Sequence, residues 1–141
     1  MLVTIGIDVG HTTGMVALAY FESSKKPVVW RSESYPINCI HKFTADLHEW
    51  VKLYSADEVI IEYPEVTHNN TYRPDVLKNL ISIIQDIVRP VPNIREVKPT
   101  QWKQTPVLDR EFRYGEPLNT KHEADAAKMA LWSMIYGKKK N

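Results

Sequence analysis

The chain has 141 residues, of which 43% are hydrophobic and 25% charged, a globular composition that excludes disorder of the whole chain. One domain is the expectation at this length, and the lone Cys39, which has no partner for an internal disulfide, indicates a reducing compartment. The N-terminus does not resemble a signal peptide and no segment approaches the roughly 18 apolar residues that cross a bilayer, so we expect a soluble cytoplasmic protein without a membrane partner.

Charge is distributed unevenly along the chain, although the net charge is only +1. Residues 1–97 hold nine Lys or Arg against twelve Asp or Glu, whereas residues 98–141 hold nine against five. The basic excess ends in Lys138, Lys139 and Lys140. Such an asymmetry is typical of a surface that faces phosphates, and it equally fits a solvated tail.

Hydrophobic periodicity predicts the element order βββαβαβα. Strands are expected at 3–8, 15–20, 28–35, 59–61 and 94–97, with helices at 41–55, 74–88 and 120–136 and a helical turn at 99–102. This order predicts an α/β fold in which helices flank a five-stranded sheet. Residues 1–137 form the predicted domain, residues 105–119 a polar loop within it, and residues 138–141 a basic tail.

The last helix has the strongest start signal in the chain. Thr120 and Glu123 fit the capping box, in which a threonine hydroxyl and a glutamate three positions later satisfy the free N–H groups of the first turn. Gly137 is the expected end of this helix.

Acidic residues end two of the predicted strands. Asp8 is the last residue of the first strand, and Glu62 ends the apolar run Val59-Ile60-Ile61-Glu62. Either one alone equally fits the start of an exposed loop. His122 and Asp125 lie three positions apart on one face of the last helix, a spacing that also suits an ion pair. Together, these four side chains can converge at one edge of the sheet. Their oxygen-rich set suits Mg²⁺ or Mn²⁺.

The motifs around these residues resemble those of RuvC-type Holliday-junction resolvases in the ribonuclease H-like superfamily. The first motif is matched by Ile5-Gly6-Ile7-Asp8-Val9-Gly10 with Thr13-Gly14, and the second by Ile60-Ile61-Glu62. The C-terminal motif is matched by His122-Glu123-Ala124-Asp125-Ala126. Val97-Lys98-Pro99-Thr100-Gln101-Trp102-Lys103 resembles the segment that supplies a basic residue. The motifs occur in the order of the family and span nearly the whole chain.

The resemblance implies a ribonuclease H-like mixed sheet and a metal-dependent endonuclease that resolves four-way DNA junctions. Asp8, Glu62, His122 and Asp125 would then be the catalytic metal ligands, holding two Mg²⁺ or Mn²⁺ ions. Lys103 would neutralise charge that develops on the phosphate. The expected partner is branched DNA, cut by a homodimer to which the helix at 74–89 contributes contacts. Its location would be the cytoplasm, at the nucleoid or in the host of a phage.

Departures from the family pattern bear on the substrate. Val9 stands where proline is usual, and Glu65 stands where bacterial members place an aromatic wedge residue. Tyr63 and Tyr72 are alternative wedge residues, or ordinary packing residues. Another branched DNA, such as a flap, is therefore an alternative substrate for the same chemistry.

Two alternatives come from other functional classes. The segment Gly6-Ile7-Asp8-Val9-Gly10-His11-Thr12-Thr13-Gly14 also resembles the phosphate-binding hairpin of actin-like ATPases, which need two such domains around a nucleotide. No second glycine-rich phosphate motif is present in this sequence. The other alternative is a non-catalytic DNA-binding module of the same fold, although all the acidic positions that the resemblance requires are filled.

Overall fold

The structure is a computed structural model that describes residues 1–23, 26–64, 74–103, 118 and 120–135. The strands are β1 (Leu2–Asp8), β2 (Thr12–Phe21), β3 (Lys26–Pro36), β4 (Glu58–Glu62) and β5 (Asn93–Val97). The helices are α1 (Ile40–Leu53), α2 (Pro74–Val88), the short α3 (Pro99–Trp102) and α4 (Lys121–Ile135), and a single 3₁₀ turn, Ile37–Cys39, precedes α1. The predicted order of elements is confirmed.

The five strands form one mixed sheet in the order β3-β2-β1-β4-β5. Strands β1, β2 and β3 form an antiparallel meander, whereas β4 and β5 run parallel to β1. Parallel neighbours need a crossover connection, and α2 supplies it between β4 and β5. The sheet therefore brings the carboxyl ends of β1 and β4 to the same edge.

Helices cover both faces of the sheet. On one face, α1 and α2 bury a core that includes Trp50, Ile84 and Val88. On the other face, α4 and Trp102 of α3 pack against residues of β1, β2 and β4. Ile84 and Val88 are thus core residues of α2, whereas Ile83 lies on the exposed side of this helix.

Among the element boundaries that differ from the sequence prediction, two have clear local reasons. Strand β2 begins at Thr12, three residues early, because Thr12, Thr13 and Gly14 pair with the end of β3. Helix α1 ends at Leu53, two residues early, and Ser55 adopts a left-handed backbone with φ 47°. A residue in that conformation cannot continue a right-handed helix.

Several predicted features lie outside the described residues. They are most of the 105–119 loop, the end of the last helix at Tyr136 and Gly137, the 138–141 tail, and residues Glu65 and Tyr72. In the described part of the chain, no helix has both the length and the apolar character needed to cross a membrane.

Candidate active site

Asp8 and Glu62 are register partners at the ends of the parallel strands β1 and β4. The same row of the sheet continues through Gly14 of β2 to Ser34 of β3. Because side chains alternate between the two faces of a strand, this row shares one face of the sheet, the face that α4 covers. Both carboxylates are largely buried, with Asp8 9% and Glu62 8% exposed. The fold thus places two acidic groups side by side.

Burial and negative neighbours raise the pKa of Asp8 to about 8. Loss of solvent is the largest cause, followed by the negative charges of Glu62 and Asp125 and a side-chain hydrogen bond with Glu62. The positive charge of Lys103 acts in the opposite direction and is smaller than each of these causes. Two adjacent buried carboxylates cannot both ionise easily without a cation. The row is therefore a place where positive charge is favourable.

The N-terminus of α4 lies directly above this row. The backbone N–H of Glu123 donates to the Thr120 hydroxyl at 3.1 Å, which is the threonine half of the predicted capping box. His122 then lies with its Nδ1 atom 3.5 Å from Oδ2 of Asp8. Asp125 follows one turn along the helix, near enough for its charge to act on Asp8. The helix thus brings both residues that the sequence predicted for it to the acidic pair.

A polar network that the sequence did not predict anchors this end of α4 to β3. The Ser34 hydroxyl donates to Oε2 of Glu123 at 2.7 Å and lies 2.6 Å from the Thr120 hydroxyl. The Thr120 hydroxyl also contacts Oε2 of Glu123 at 3.1 Å. Glu123, expected only as a capping residue, is 3% exposed and links the helix to the sheet. No sequence signal identifies Ser34, because its partner lies 89 positions away.

Trp102 and Lys103 border the other side of the acidic pair. The indole N–H of Trp102 donates to Oε1 of Glu62 at 2.9 Å, a contact that the sequence did not reveal. Lys103 is exposed, and its Nζ atom lies 5.5 Å from the centroid of the Trp102 ring. The charge of Lys103 acts on Asp8, so Lys103 is near the carboxylates. The structure shows no ion pair between the Lys103 ammonium group and Asp8 or Glu62.

The fold that carries this site is found in solved proteins. No protein-family model matches the sequence, and no curated protein matches it significantly. The structure of Thermus thermophilus RuvC matches with a TM-score of 0.79 at 16% identity, over 99% of this chain and 97% of that one. The protein has the RuvC fold. The ribonuclease H-like architecture predicted from the motifs is confirmed.

Two further structures share the RuvC fold and contain DNA. One is T. thermophilus RuvC in complex with a Holliday junction substrate, with a TM-score of 0.78 at 16% identity over 99% of this chain and 96% of that one. The other is the Fowlpox virus resolvase with substrate Holliday junction DNA, with a TM-score of 0.56 at 14% identity over 95% and 99% of the two chains. The fold is therefore shared by proteins whose sequences differ widely.

The donor types on this RuvC fold suit a hard divalent cation. Asp8, Glu62 and Asp125 offer carboxylate oxygens, and His122 offers a ring nitrogen beside them, a set that Mg²⁺ and Mn²⁺ accept. Among the residues that the structure describes, no three His, Cys, Asp or Glu side chains stand in the arrangement of a closed metal site. The fit therefore rests on the chemistry of the donors and on the buried negative charge beside Asp8.

Tyr63 packs against the core rather than beside the acidic pair. It follows Glu62 but packs against the core that α1 and α2 cover, on the opposite face of the sheet. Its hydroxyl is buried, with no hydrogen-bond partner among the described residues. The structure thus supports the packing role of Tyr63.

Proposed function

We propose that the protein is a metal-dependent endonuclease that resolves four-way DNA junctions by hydrolysing phosphodiester bonds. The observation that carries this proposal is the buried pair of Asp8 and Glu62, register partners on the sheet of a RuvC fold with His122 above them. Neighbouring structures of this fold hold Holliday junction DNA, which supports the same substrate here. Action on branched DNA implies a place in the cytoplasm, at the nucleoid or in a phage-infected host.

Asp8, Glu62, His122 and Asp125 are the proposed ligands, with Asp8 central because it lies beside both Glu62 and His122. Two Mg²⁺ or Mn²⁺ ions bound there would supply an activated water and stabilise the leaving oxygen. Attack of the water oxygen on phosphorus and cleavage of the P–O3′ bond then leave a 5′-phosphate and a 3′-hydroxyl. The burial of the two strand-end carboxylates strengthens the charge interactions that they make, because fewer water molecules screen them.

Lys103 is the proposed electrostatic partner of the scissile phosphate. Its ammonium group is exposed, and its positive charge acts on Asp8, so it is near the metal ligands without being neutralised by an observed ion pair with them. A lysine in this position can offset negative charge that grows on the phosphate oxygens in the transition state.

A homodimer is the proposed active assembly. Symmetric resolution needs cuts on two opposed strands, and the described residues of one chain provide a single cluster of this kind. The exposed side of α2, including Ile83, is the proposed contribution of that helix to the dimer contact. Sedimentation of the free protein and of its junction complex tests the assembly. A monomer in both states would contradict the dimer and favour a nuclease that makes single cuts.

Cleavage of a substrate panel tests the function. The panel contains a four-way junction, a flap, a splayed duplex and a linear duplex, each with Mg²⁺ or Mn²⁺. We expect preferential, paired nicking of the junction. Preferential flap cleavage would contradict junction resolution and support the alternative substrate, and ATP hydrolysis without any DNA cleavage would support the actin-like alternative.

The matched control is Asp8→Asn, which keeps the shape of the side chain and removes its charge. We expect no cleavage by this variant, and junction binding in Ca²⁺ at least as tight as that of the wild type, because repulsion of phosphate is reduced. A gel shift measures the binding. Junction nicking by Asp8→Asn at the wild-type rate would contradict the proposed mechanism, and junction binding without nicking by the wild type would indicate a non-catalytic module.

A further inference from the structure

Trp102 contacts two members of the proposed site through two different parts of its ring system. Its indole N–H donates to Oε1 of Glu62 at 2.9 Å, and its ring face lies 5.5 Å from Nζ of Lys103. The ring itself is only 1% exposed and packs in the core beneath α4, among residues such as Ala126 and Met129. A rigid, packed side chain thus connects the acidic and basic sides of the site.

The indole has a property that suits a neighbour of a metal ligand. It is a neutral group that donates one hydrogen bond and accepts none. It can therefore hold one oxygen of Glu62 without competing for a cation, whereas a lysine or arginine donor would neutralise the carboxylate. Since a glutamate side chain has several rotatable bonds, a donor fixed by packing removes freedom that metal binding would otherwise have to remove.

We propose that Trp102 is a positioning residue: its N–H fixes the Glu62 carboxylate for the divalent cation, and its ring face keeps Lys103 beside the site. This rests on the proposed metal-dependent function. The two roles use separate parts of the side chain, so different substitutions separate them. Phenylalanine removes the N–H and keeps an aromatic face, whereas leucine removes both.

Trp50 provides a matched control for loss of an indole. It is fully buried in the core on the other face of the sheet, and its Nε1 atom has no hydrogen-bond partner among the described residues. Trp50→Phe therefore removes the same atoms from an equally buried site that does not touch the acidic pair. A difference between Trp102→Phe and Trp50→Phe reports the Glu62 hydrogen bond rather than a change in packing.

Calorimetric titration of the DNA-free, full-length protein with Mn²⁺ is the first measurement. We expect Trp102→Phe to weaken Mn²⁺ binding by about 10-fold or more, the scale typical of residues that orient metal ligands, and Trp50→Phe to bind Mn²⁺ as the wild type does. In junction cleavage, the Mn²⁺ concentration for half-maximal rate should rise for Trp102→Phe while the KM for DNA stays constant. Wild-type Mn²⁺ affinity in Trp102→Phe would overturn the proposal.

The second measurement separates the ring face from the N–H. At saturating Mn²⁺, Trp102→Phe should recover most of its cleavage rate, whereas Trp102→Leu should remain slower because Lys103 no longer has an aromatic neighbour. Equal saturated rates for the two variants would overturn the Lys103 part. If thermal unfolding shows that a variant is not folded, replacement of Trp102 by β-(3-benzothienyl)alanine removes the N–H with the ring shape retained and decides the Glu62 part.

The wild-type protein distinguishes this proposal from the function on which it rests. Absence of both Mn²⁺ binding and DNA cleavage in the wild type would reject the metal-dependent function itself. Wild-type binding and cleavage that Trp102→Phe leaves unchanged would reject the role of Trp102 alone.

Discussion

Gly14 of β2 lies directly beneath the backbone of His122, so closely that a β-carbon at position 14 would overlap the His122 carbonyl group and lie 2.8 Å from the backbone nitrogen of Glu123. Gly14 is also the register partner of Asp8. The missing side chain is therefore what lets the N-terminus of α4 descend onto the acidic row. Gly6 lies on β1, two residues before Asp8 and on the same face of the sheet, and its missing side chain permits the same close approach of α4 at Ala126.

Gly14→Ala should displace α4 and lower both stability and activity. The added methyl group meets backbone, which cannot rotate away, so we expect a loss of about 1–3 kcal/mol or more in the free energy of unfolding. Denaturant unfolding and the junction-cleavage assay measure the two effects. Gly10→Ala is the matched control for stability, since its β-carbon would meet its nearest neighbour at 3.5 Å. Equal stability of the two variants would contradict a tight helix–sheet contact at Gly14.

Asp8 should make the metal-free protein less stable as pH rises. Its pKa is raised from 3.8 to about 8, so between these values the folded protein keeps a proton that the unfolded chain has released. The stability from this group is complete below pH 3.8 and is lost as pH rises through about 8. Unfolding temperatures measured in EDTA at pH 5 and pH 8 test this. Between these pH values the unfolding temperature of the wild type should fall relative to that of Asp8→Asn, because asparagine does not titrate.

At pH 8, a divalent cation should shift the difference in unfolding temperature back in favour of the wild type. Mn²⁺ favours the ionised carboxylates, so it should raise the unfolding temperature of the wild type and raise that of Asp8→Asn much less. A wild type whose unfolding temperature is unaffected by Mn²⁺ would contradict the assignment of Asp8 as a ligand.

Ser34→Ala should loosen the N-terminus of α4. It removes a donor to the buried carboxylate of Glu123, and we expect a loss of about 1–3 kcal/mol in stability. Cleavage should also slow, because His122 is held over Asp8 by that end of the helix. The junction-cleavage rate and denaturant unfolding are the measurements.

Ser133→Ala is the control for this variant. Ser133 is fully buried near the other end of α4, and its hydroxyl donates to the carboxylate of Glu58, far along β4 from Glu62. It should lower stability by a comparable amount and leave cleavage unchanged. If the two serine variants affected cleavage equally, general destabilisation rather than the position of His122 would be responsible.

Lys103→Ala should lower the cleavage rate at saturating DNA, on the order of 10²-fold, since a charge at the scissile phosphate matters most in the transition state. Single-turnover kinetics measure that rate. If Lys103→Ala changed only the DNA dissociation constant, Lys103 would contribute to DNA binding and not to the chemical step.

Neutralising Lys138, Lys139 and Lys140 together should instead weaken DNA binding irrespective of DNA sequence. The slope of log affinity against log salt concentration should become shallower by roughly 0.9 for every phosphate that the tail no longer neutralises. Gel shifts across a salt series measure this slope. An unchanged slope would identify the tail as a solvated segment outside the DNA surface.

The order of the strands and helices follows from local features of the sequence. Alternating or continuous apolar residues specify strands, three-to-four-residue spacing specifies helices, and the Thr120 cap marks where α4 begins. Asp8 and Glu62 could be predicted as neighbours because each ends a buried strand, and parallel strands end at one edge. The spacing of His122 and Asp125 on one face of the last helix added these two residues to that expectation. The motif resemblance added Lys103.

The contacts that complete the site are properties of the tertiary structure alone. Trp102 meets Glu62 across 40 positions, and Ser34 meets Glu123 across 89. Neither pair has a local signature, because strand register and the depth at which α4 packs on the sheet decide which side chains meet. The raised pKa of Asp8 has the same origin, since burial and the charges that surround a carboxyl group exist only once the sheet and α4 have come together.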